Sequence, residues 1–218
     1  MTVCGLLQLL LPGPGRAVAV RARQPGEGAR RVVLVHGIHD SGASMRWMRR
    51  LLESRGWEVY AISLKPNDAT VSFEVMARQV EAFVAEHIPE GEKFDLVAFS
   101  MGGLVSRYYV QKLGGFRRVR RFVTLSTPNH GTAWAWLSGR EGVKQMRPDS
   151  EMLRELNEDA GMLIPLDYTS IYTPFDLTIL PASSSRMPVG RNVIAWVPLH
   201  PLMVMMPGPL DAVERALK

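Results

Sequence analysis

Short apolar runs alternate with amphipathic stretches along most of the chain, and this alternation predicts its secondary structure. Continuous apolar runs are typical of parallel strands covered on both faces, whereas apolar positions at helical spacing mark the segments between them. The predicted strands after residue 30 are 32–35, 59–62, 96–99, 122–125, 168–173 and 192–197. The predicted helices are one ending near Arg55, 73–87, one starting directly after Ser100, and 211–217. The pattern therefore predicts an α/β fold with a mainly parallel, doubly wound sheet.

Two regions do not follow this alternation. Residues 1–30 are predicted as an N-terminal extension or outer strand, with an edge strand at 17–23 and a turn at 25–28, ahead of a single domain at 31–218. The leucine-rich start resembles a short signal segment, but no positive charge precedes it. Residues 133–166 are irregular and could form either a small cap over a cleft or a packed crossover. Trp134, Trp136 and Leu137 are predicted to form an apolar knot there.

The chain turns from strand to helix at Ser100. The apolar run Leu-Val-Ala-Phe at 96–99 ends directly before it, and helical spacing begins directly after it. Small residues at Ala98, Gly102 and Gly103 would relieve crowding where the strand and the helix touch. This is the physical requirement of the nucleophile elbow, written G-x-S-x-G, with alanine here in place of the first glycine. A tight βα turn without chemistry is the alternative interpretation.

Acidic and basic groups follow later strands in an order that suits serine chemistry. A serine hydroxyl needs a base to take its proton, and that base needs an orienting group. Ser100, Asp176 and His200 fall at successive strand ends in the order serine, acid, histidine. They are predicted as nucleophile, orienting carboxylate and general base. Asp167 is a rival acid, but it precedes its strand and would lie at the wrong edge of the sheet.

The negative oxygen formed after attack on an ester needs backbone N–H donors. Met101, the residue after the nucleophile, is predicted to supply one donor from the start of its helix. Ile38, which follows His36 and Gly37 after the first buried strand, is predicted to supply the second. His36 and His130 lie beside glycines at strand ends, where we expect their imidazoles to fix loop geometry by hydrogen bonding.

Composition narrows the classes of partner. The net charge is +5, carried mostly by arginine, which indicates either a solvated surface or attraction to an anionic lipid surface. No aromatic interleaving or recognised module accompanies these arginines, so we expect no nucleic acid partner. The single cysteine, Cys4, excludes an internal disulfide.

These motifs together resemble the small bacterial triacylglycerol lipases of the α/β-hydrolase superfamily. The matching stretches are Val-Leu-Val-His-Gly-Ile at 33–38, Ala-Phe-Ser-Met-Gly-Gly at 98–103, Tyr-Thr-Ser-Ile-Tyr at 168–172 leading to Asp176, Ser-Arg at 185–186, and Arg-Asn-Val at 191–193 leading to His200. The Ala-x-Ser-x-Gly variant is typical of that group. The resemblance implies a minimal core of about six strands with helices on both faces, hydrolysis of carboxylic esters of lipids, and no cofactor or metal. Leu199 departs from the glycine that usually precedes the histidine.

The expected substrate is thus a lipid or another ester, with peripheral contact to a lipid surface and a monomeric state. A phospholipase or acyltransferase using the same residues is the alternative enzyme, and a catalytically silent binding protein of the same fold is the alternative of another class. Secretion or association with a membrane surface is favoured, with a cytoplasmic location as the alternative.

Overall fold

The computed structural model describes residues 30–218, which contain one sheet of parallel strands. The sheet has six strands in the order β2-β1-β3-β4-β5-β6. The strands are β1 (Arg31–Val35), β2 (Glu58–Ala61), β3 (Phe94–Phe99), β4 (Val119–Leu125), β5 (Thr169–Tyr172) and β6 (Arg191–Ile194). Strand order reverses beside β1 and β3, the place where sheets of this type bind ligands at the carboxyl edge.

Helices cover both faces of the sheet. They are α1 (Arg46–Ser54), α2 (Phe73–His87), α3 (Met101–Lys112), α4 (Glu141–Lys144), α5 (Glu151–Glu158) and α6 (Pro207–Ala216). Because side chains alternate along a strand, Val33 and Val35 of β1 pack with α2 and α3, whereas Val32 and Leu34 pack with α1 and α6. The predicted α/β-hydrolase architecture is therefore confirmed, and the sheet is parallel throughout.

Several element ends differ from the sequence prediction for local reasons. The last strand ends at Ile194 rather than Val197, because the Val197 N–H donates to the nearby Ala195 carbonyl and turns the chain out of the sheet. The last helix begins at Pro207 rather than Asp211. A proline lacks the N–H that the first helical turn leaves unpaired anyway, so Pro207 opens this helix instead of blocking it.

The segment 133–166 divides into a packed part and an exposed part. In the packed part, Ser150 caps α5 by accepting from the Leu153 N–H, and Met152, Leu153 and Leu156 of α5 are buried. The exposed part is a short 3-10 helix, Ala133–Leu137. The expected apolar knot is wrong, because Trp134, Trp136 and Leu137 are all more than half exposed. Successive side chains of a 3-10 helix point about a third of a turn apart, so those of residues 133–137 cannot all face the core, and only Ala135 does.

The predicted edge strand at 17–23 and turn at 25–28 lie outside the described residues. Among residues 30–218, no helix combines the length and apolar character that crossing a bilayer requires.

Candidate active site

Ser100 joins β3 to α3 in a backbone conformation that side-chain-bearing residues rarely adopt. Its φ is 54° and its ψ is −127°, and it occupies the N-cap position of α3. The Ser100 N–H donates to the Leu125 carbonyl at 2.8 Å, and its own carbonyl accepts from the Thr127 hydroxyl at 3.1 Å. Contacts from β4 and its following loop thus hold the strained turn from two sides.

The glycines after Ser100 are required by close approach. A Cβ on Gly102 would collide with the carbonyl oxygen of His36, and a Cβ on Gly103 would collide with the Thr127 side chain. A Cβ on Gly37 would lie 3.1 Å from the Ser100 Cβ. The loop after β1 is therefore pressed directly against the elbow, which explains the small residues noted in the sequence.

The three predicted catalytic side chains form one hydrogen-bonded chain. His200 Nε2 lies 2.9 Å from Ser100 Oγ, and His200 Nδ1 lies 2.7 Å from Asp176 Oδ2. All three residues are buried. Phe99 packs beside the imidazole, with ring centroids 4.7 Å apart. Residues that are far apart in sequence thus meet at the carboxyl edge of the sheet, where a hydroxyl can pass a proton to a supported imidazole.

The carboxylate of Asp176 is held in its charged form. Its second oxygen, Oδ1, accepts hydrogen bonds from the Thr178 and Ile179 amides, each at 2.9 Å. Burial alone would raise the pKa of Asp176, but the hydrogen bond and charge of His200, together with the Ile179 amide, outweigh it and lower the pKa. Asp176 can therefore orient the imidazole and stabilise its positive charge without taking its proton.

His36 fixes the loop that carries Ile38. The Leu64 N–H donates to His36 Nε2 at 2.9 Å, so the ring proton resides on Nδ1 and is donated to the Gly37 carbonyl at 2.7 Å. The Gly37 carbonyl and the Ile38 N–H belong to one planar peptide unit, so fixing the former fixes the direction of the latter. Burial lowers the pKa of His36, which keeps the ring neutral in this role.

The backbone N–H groups of Ile38 and Met101 remain available at this loop and elbow. Within the described part of the chain, the Ile38 amide donates to no protein acceptor, and Met101 opens α3, where the first amides have no partner within the helix. Both residues therefore have the free donors that the predicted oxyanion-binding role requires.

The other histidines and the rival acid lie outside this arrangement. The His130 ring contacts the Asn157 side-chain amide, and its backbone N–H donates to Ser184, so it braces a loop as expected. His87 ends α2 stacked on Phe83. Asp167 is exposed before β5, at the opposite edge of the sheet. Among residues 30–218, no cluster of three or more His, Cys, Asp or Glu side chains is arranged to hold a metal ion.

The family model described as palmitoyl protein thioesterase matches residues 31–173, more than half of the chain. The chain belongs to the palmitoyl protein thioesterase family. The match covers the loop after β1, the elbow and β5, and it ends before Asp176 and His200. The predicted roles of Asp176 and His200 in this thioesterase-family protein therefore rest on chain order and on the hydrogen bonds described above, and not on the family match.

Solved structures share the fold of this thioesterase-family protein at low sequence identity. Bacillus licheniformis lipase BlEst2 in its mature form is 17% identical with a TM-score of 0.70, covering 91% of this chain and 95% of that one. Aspergillus fumigatus lipase B is 19% identical with a TM-score of 0.72, covering 87% and 52%. The pyrethroid hydrolase PytH is 16% identical with a TM-score of 0.57, covering 86% and 97%. The expected resemblance to bacterial lipases of the α/β-hydrolase superfamily is confirmed at the level of the fold, and the chain is a hydrolase-fold protein.

Sequence reasoning missed a buried arginine behind the elbow of this thioesterase-family protein. Arg107 of α3 donates to the side chains of Gln111 and Asn129 and, at 2.7 Å, to the Leu156 carbonyl of α5. Burial lowers the pKa of Arg107 to about 10. The sequence feature that could have revealed this residue is its position, because Arg107 lies three residues after Leu104 on the apolar side of the predicted helix. Arg107 thereby hydrogen-bonds the 133–166 segment to α3, the helix that begins directly after Ser100.

Proposed function

We propose that this protein is a serine hydrolase that cleaves carboxylic esters of lipids through Ser100, His200 and Asp176. The observation that supports the proposal is the continuous hydrogen-bonded chain from Ser100 Oγ through His200 to Asp176. A buried serine is a weak nucleophile unless such a base is within reach of its proton. The two distances, 2.9 Å from Ser100 Oγ to His200 Nε2 and 2.7 Å from His200 Nδ1 to Asp176 Oδ2, are normal hydrogen-bond lengths and support these roles.

The reaction begins when Ser100 Oγ attacks the ester carbonyl carbon while His200 Nε2 takes the hydroxyl proton. The charged Asp176 stabilises the imidazolium that forms. His200 then gives its proton to the leaving alcohol, which departs as the acyl group remains on Ser100. A water molecule then attacks the acyl carbon while His200 takes one of its protons. The bond from that carbon to Ser100 Oγ breaks, Oγ receives the proton from His200, and a carboxylic acid is released.

The amides of Ile38 and Met101 would bind the negative oxygen of the tetrahedral intermediates. His36 keeps the Ile38 peptide aimed in one direction, and the start of α3 adds the positive end of a helix dipole at Met101. Because these donors belong to a loop held by packing, they need no rearrangement when charge develops.

A long-chain acyl thioester is a second candidate substrate, and the family match favours it. The same nucleophile and base cleave either bond, because the attack is on an acyl carbon in both cases. The two substrates differ in the leaving group, a thiol or an alcohol, and in what surrounds it.

The test is hydrolysis of p-nitrophenyl butyrate and palmitate by Ser100→Ala, with Ser54→Ala as the matched control on the surface of α1. We expect Ser100→Ala to lose both hydrolysis and labelling by a fluorophosphonate probe, while Ser54→Ala keeps both. Turnover by Ser100→Ala at the wild-type rate would refute the assignment.

Comparison of kcat/KM for O-palmitoyl and S-palmitoyl esters of matched alcohols and thiols separates the two substrate classes. A preference for the oxygen ester supports the lipid esterase, and a preference for the thioester supports the second candidate. A strong preference for short soluble esters over both would count against a lipid substrate.

A further inference from the structure

Six large apolar side chains are exposed together around the loops that carry the acid and the base. This apolar rim consists of Trp134, Trp136, Leu137, Phe175, Leu177 and Trp196, and each is more than half exposed. The rim includes three of the five tryptophans of the chain. Soluble monomers rarely expose large apolar side chains in a contiguous group, and such patches usually mark interaction sites.

Specific contacts join the loops of the rim. The Trp134 indole N–H donates to the Leu177 carbonyl at 2.8 Å, which joins the loop after β4 to the loop after β5. The Phe175 and Trp196 rings lie 5.8 Å apart, which joins the loop after β5 to the chain after β6. These two contacts hold the three loops beside one another, and Trp136 and Leu137 extend the exposed apolar group along the 133–137 helix.

The rim surrounds the acid of the proposed catalytic chain. Phe175 and Leu177 flank Asp176 in sequence and point to solvent, whereas Asp176 is buried against His200. No other charged residue occurs in 133–137, 174–177 or 194–199. The exposed surface of these stretches is thus apolar and lies beside the catalytic residues.

Positive charge borders this surface. The guanidinium of Arg147 lies over the Trp136 ring, 4.6 Å from its centroid, and donates to backbone carbonyls of the 133–138 stretch. Arg140 is exposed and donates to the Asp68 carbonyl. In the described part of the chain neither arginine forms a salt bridge, while Glu141 is paired with Lys144. Asp68 is also close enough to Arg140 for their charges to interact, so the five charged groups of the border, three basic and two acidic, keep one positive charge in excess.

We propose that the apolar rim docks on the surface of a phospholipid bilayer that carries anionic headgroups. Tryptophans with apolar neighbours are favoured at the boundary between headgroups and acyl chains, and adjacent arginines attract anionic lipids. A protein partner would have to supply carboxylates matched to the border, whereas a bilayer presents negative charge over any area. The proposal deepens the proposed function, since a docked rim places Ser100 beside lipid esters held in the membrane.

The experiment measures co-sedimentation of the full chain with vesicles, in a Ser100→Ala background so that binding is independent of hydrolysis. The vesicles are phosphatidylcholine alone or mixed with phosphatidylglycerol. The rim variant is Trp136→Ser with Leu137→Ser and Trp196→Ser, none of which has a side-chain hydrogen bond in the described structure. The matched control is Trp47→Ser. Trp47 is an exposed tryptophan flanked by Arg46 and Arg50 on α1, the helix beside β2 at the other edge of the sheet.

We expect the parent and the Trp47 control to bind mixed vesicles, and the rim variant to bind at least about tenfold more weakly. An Arg140→Gln, Lys144→Gln variant, which removes only border charge, should bind more weakly at low salt and so test the surface without altering the rim. Circular dichroism melts establish that each variant is folded.

Absence of vesicle binding by the parent, equal binding to both vesicle types, or unchanged binding by the rim variant would overturn the proposal. The proposal would also be overturned if sedimentation velocity showed that the parent is a dimer and the rim variant a monomer, since a second copy of the chain would then cover the rim. Hydrolysis that survives Ser100→Ala would refute the proposed function separately, whatever the vesicle result.

Discussion

His36 offers a prediction that separates the stability of the fold from the geometry of the oxyanion loop. Its two ring nitrogens do different tasks: Nε2 accepts from the buried Leu64 amide, and Nδ1 donates to the Gly37 carbonyl. Asparagine can place a donor where Nδ1 lies, and glutamine can place an acceptor where Nε2 lies. His36→Asn therefore keeps the bond that fixes the Ile38 peptide, whereas His36→Gln keeps the bond to Leu64.

The two substitutions should have opposite effects. His36→Asn leaves the Leu64 amide buried without an acceptor, which costs about 1–3 kcal/mol of unfolding free energy. This should lower the Tm by about 2–4 °C for each kcal/mol in a chain of this size, with kcat changed little. His36→Gln should retain more stability but lose alignment of one oxyanion donor, which lowers kcat by about 10²–10³-fold.

The assay is thermal unfolding together with p-nitrophenyl butyrate kinetics for both variants, with His39→Ala, three residues after His36 in the same loop, as the control. His39 is exposed, and we expect its replacement to change neither quantity greatly. Equal kcat losses in the Asn and Gln variants would refute the division of tasks between the two nitrogens. So would a kcat loss that simply follows the fall in Tm.

The neutrality of His36 also predicts a pH dependence. Because burial lowers its pKa in the folded protein, the unfolded chain binds this proton more readily. Its contribution to stability is therefore complete above the unfolded value of about 6.5 and is lost as the pH falls through the lower folded pKa. Unfolding free energy should decline between pH 7 and pH 5 in the parent, and less so in His36→Asn.

Three further predictions test other parts of the site. Asp176→Asn should lower kcat by about 10⁴-fold with little change in Tm, because the amide can still accept backbone hydrogen bonds but can present an N–H to the imidazole and favour the wrong tautomer; a loss under tenfold would contradict the orienting role. Arg107→Met should lower unfolding free energy by about 3 kcal/mol, since the buried Gln111 and Asn129 oxygens lose their donor and the Leu156 carbonyl keeps only the one from Gln111, as measured by urea denaturation; an unchanged midpoint would contradict it. Gly102→Ala should give little soluble folded protein, because its Cβ would collide with backbone, whereas Gly161→Ala meets open space and should express normally; equal yields would show that the elbow can relax.

Local patterns were sufficient to predict the elbow and the sheet. The run before Ser100 and the glycines after it are contiguous, so one stretch carries the strand, the turn and the helix start. The carboxyl ends of all strands in a parallel sheet lie at one edge, so residues that follow β5 and β6 can reach Ser100. This is why Asp176 and His200 are predicted as its partners. Their geometry agrees with the predicted arrangement, while their catalytic roles remain predictions.

Long-range polar contacts could not be predicted in the same way. The acceptor for the Leu64 amide is His36, and the carbonyl that Arg107 satisfies belongs to Leu156. No sequence periodicity links these positions, because the two partners of each hydrogen bond lie on different elements. How closely those elements approach each other depends on how the whole chain packs. The predicted apolar knot at 133–137 was wrong for a related reason. Hydrophobic side chains are expected to be buried, and nothing in the local sequence shows that only Ala135 reaches the core.

The strained backbone at two neighbouring strand ends links the fold to the proposed chemistry. Ser100 after β3 and Ser126 after β4 both have positive φ, 54° and 41°, although neither is glycine. Such conformations cost on the order of 1–3 kcal/mol each, so surrounding contacts must enforce them. The amide of Ser100 is held by Leu125 of β4, and the amide of Ser126 by Ile171 of β5, each at 2.8 Å. Each turn is thus held by the next strand along the sheet, in the direction that leads from the nucleophile to the acid. The sheet therefore fixes the distance between Ser100 and the Asp176 loop more firmly than either loop could alone, which is what proton transfer through a single imidazole requires.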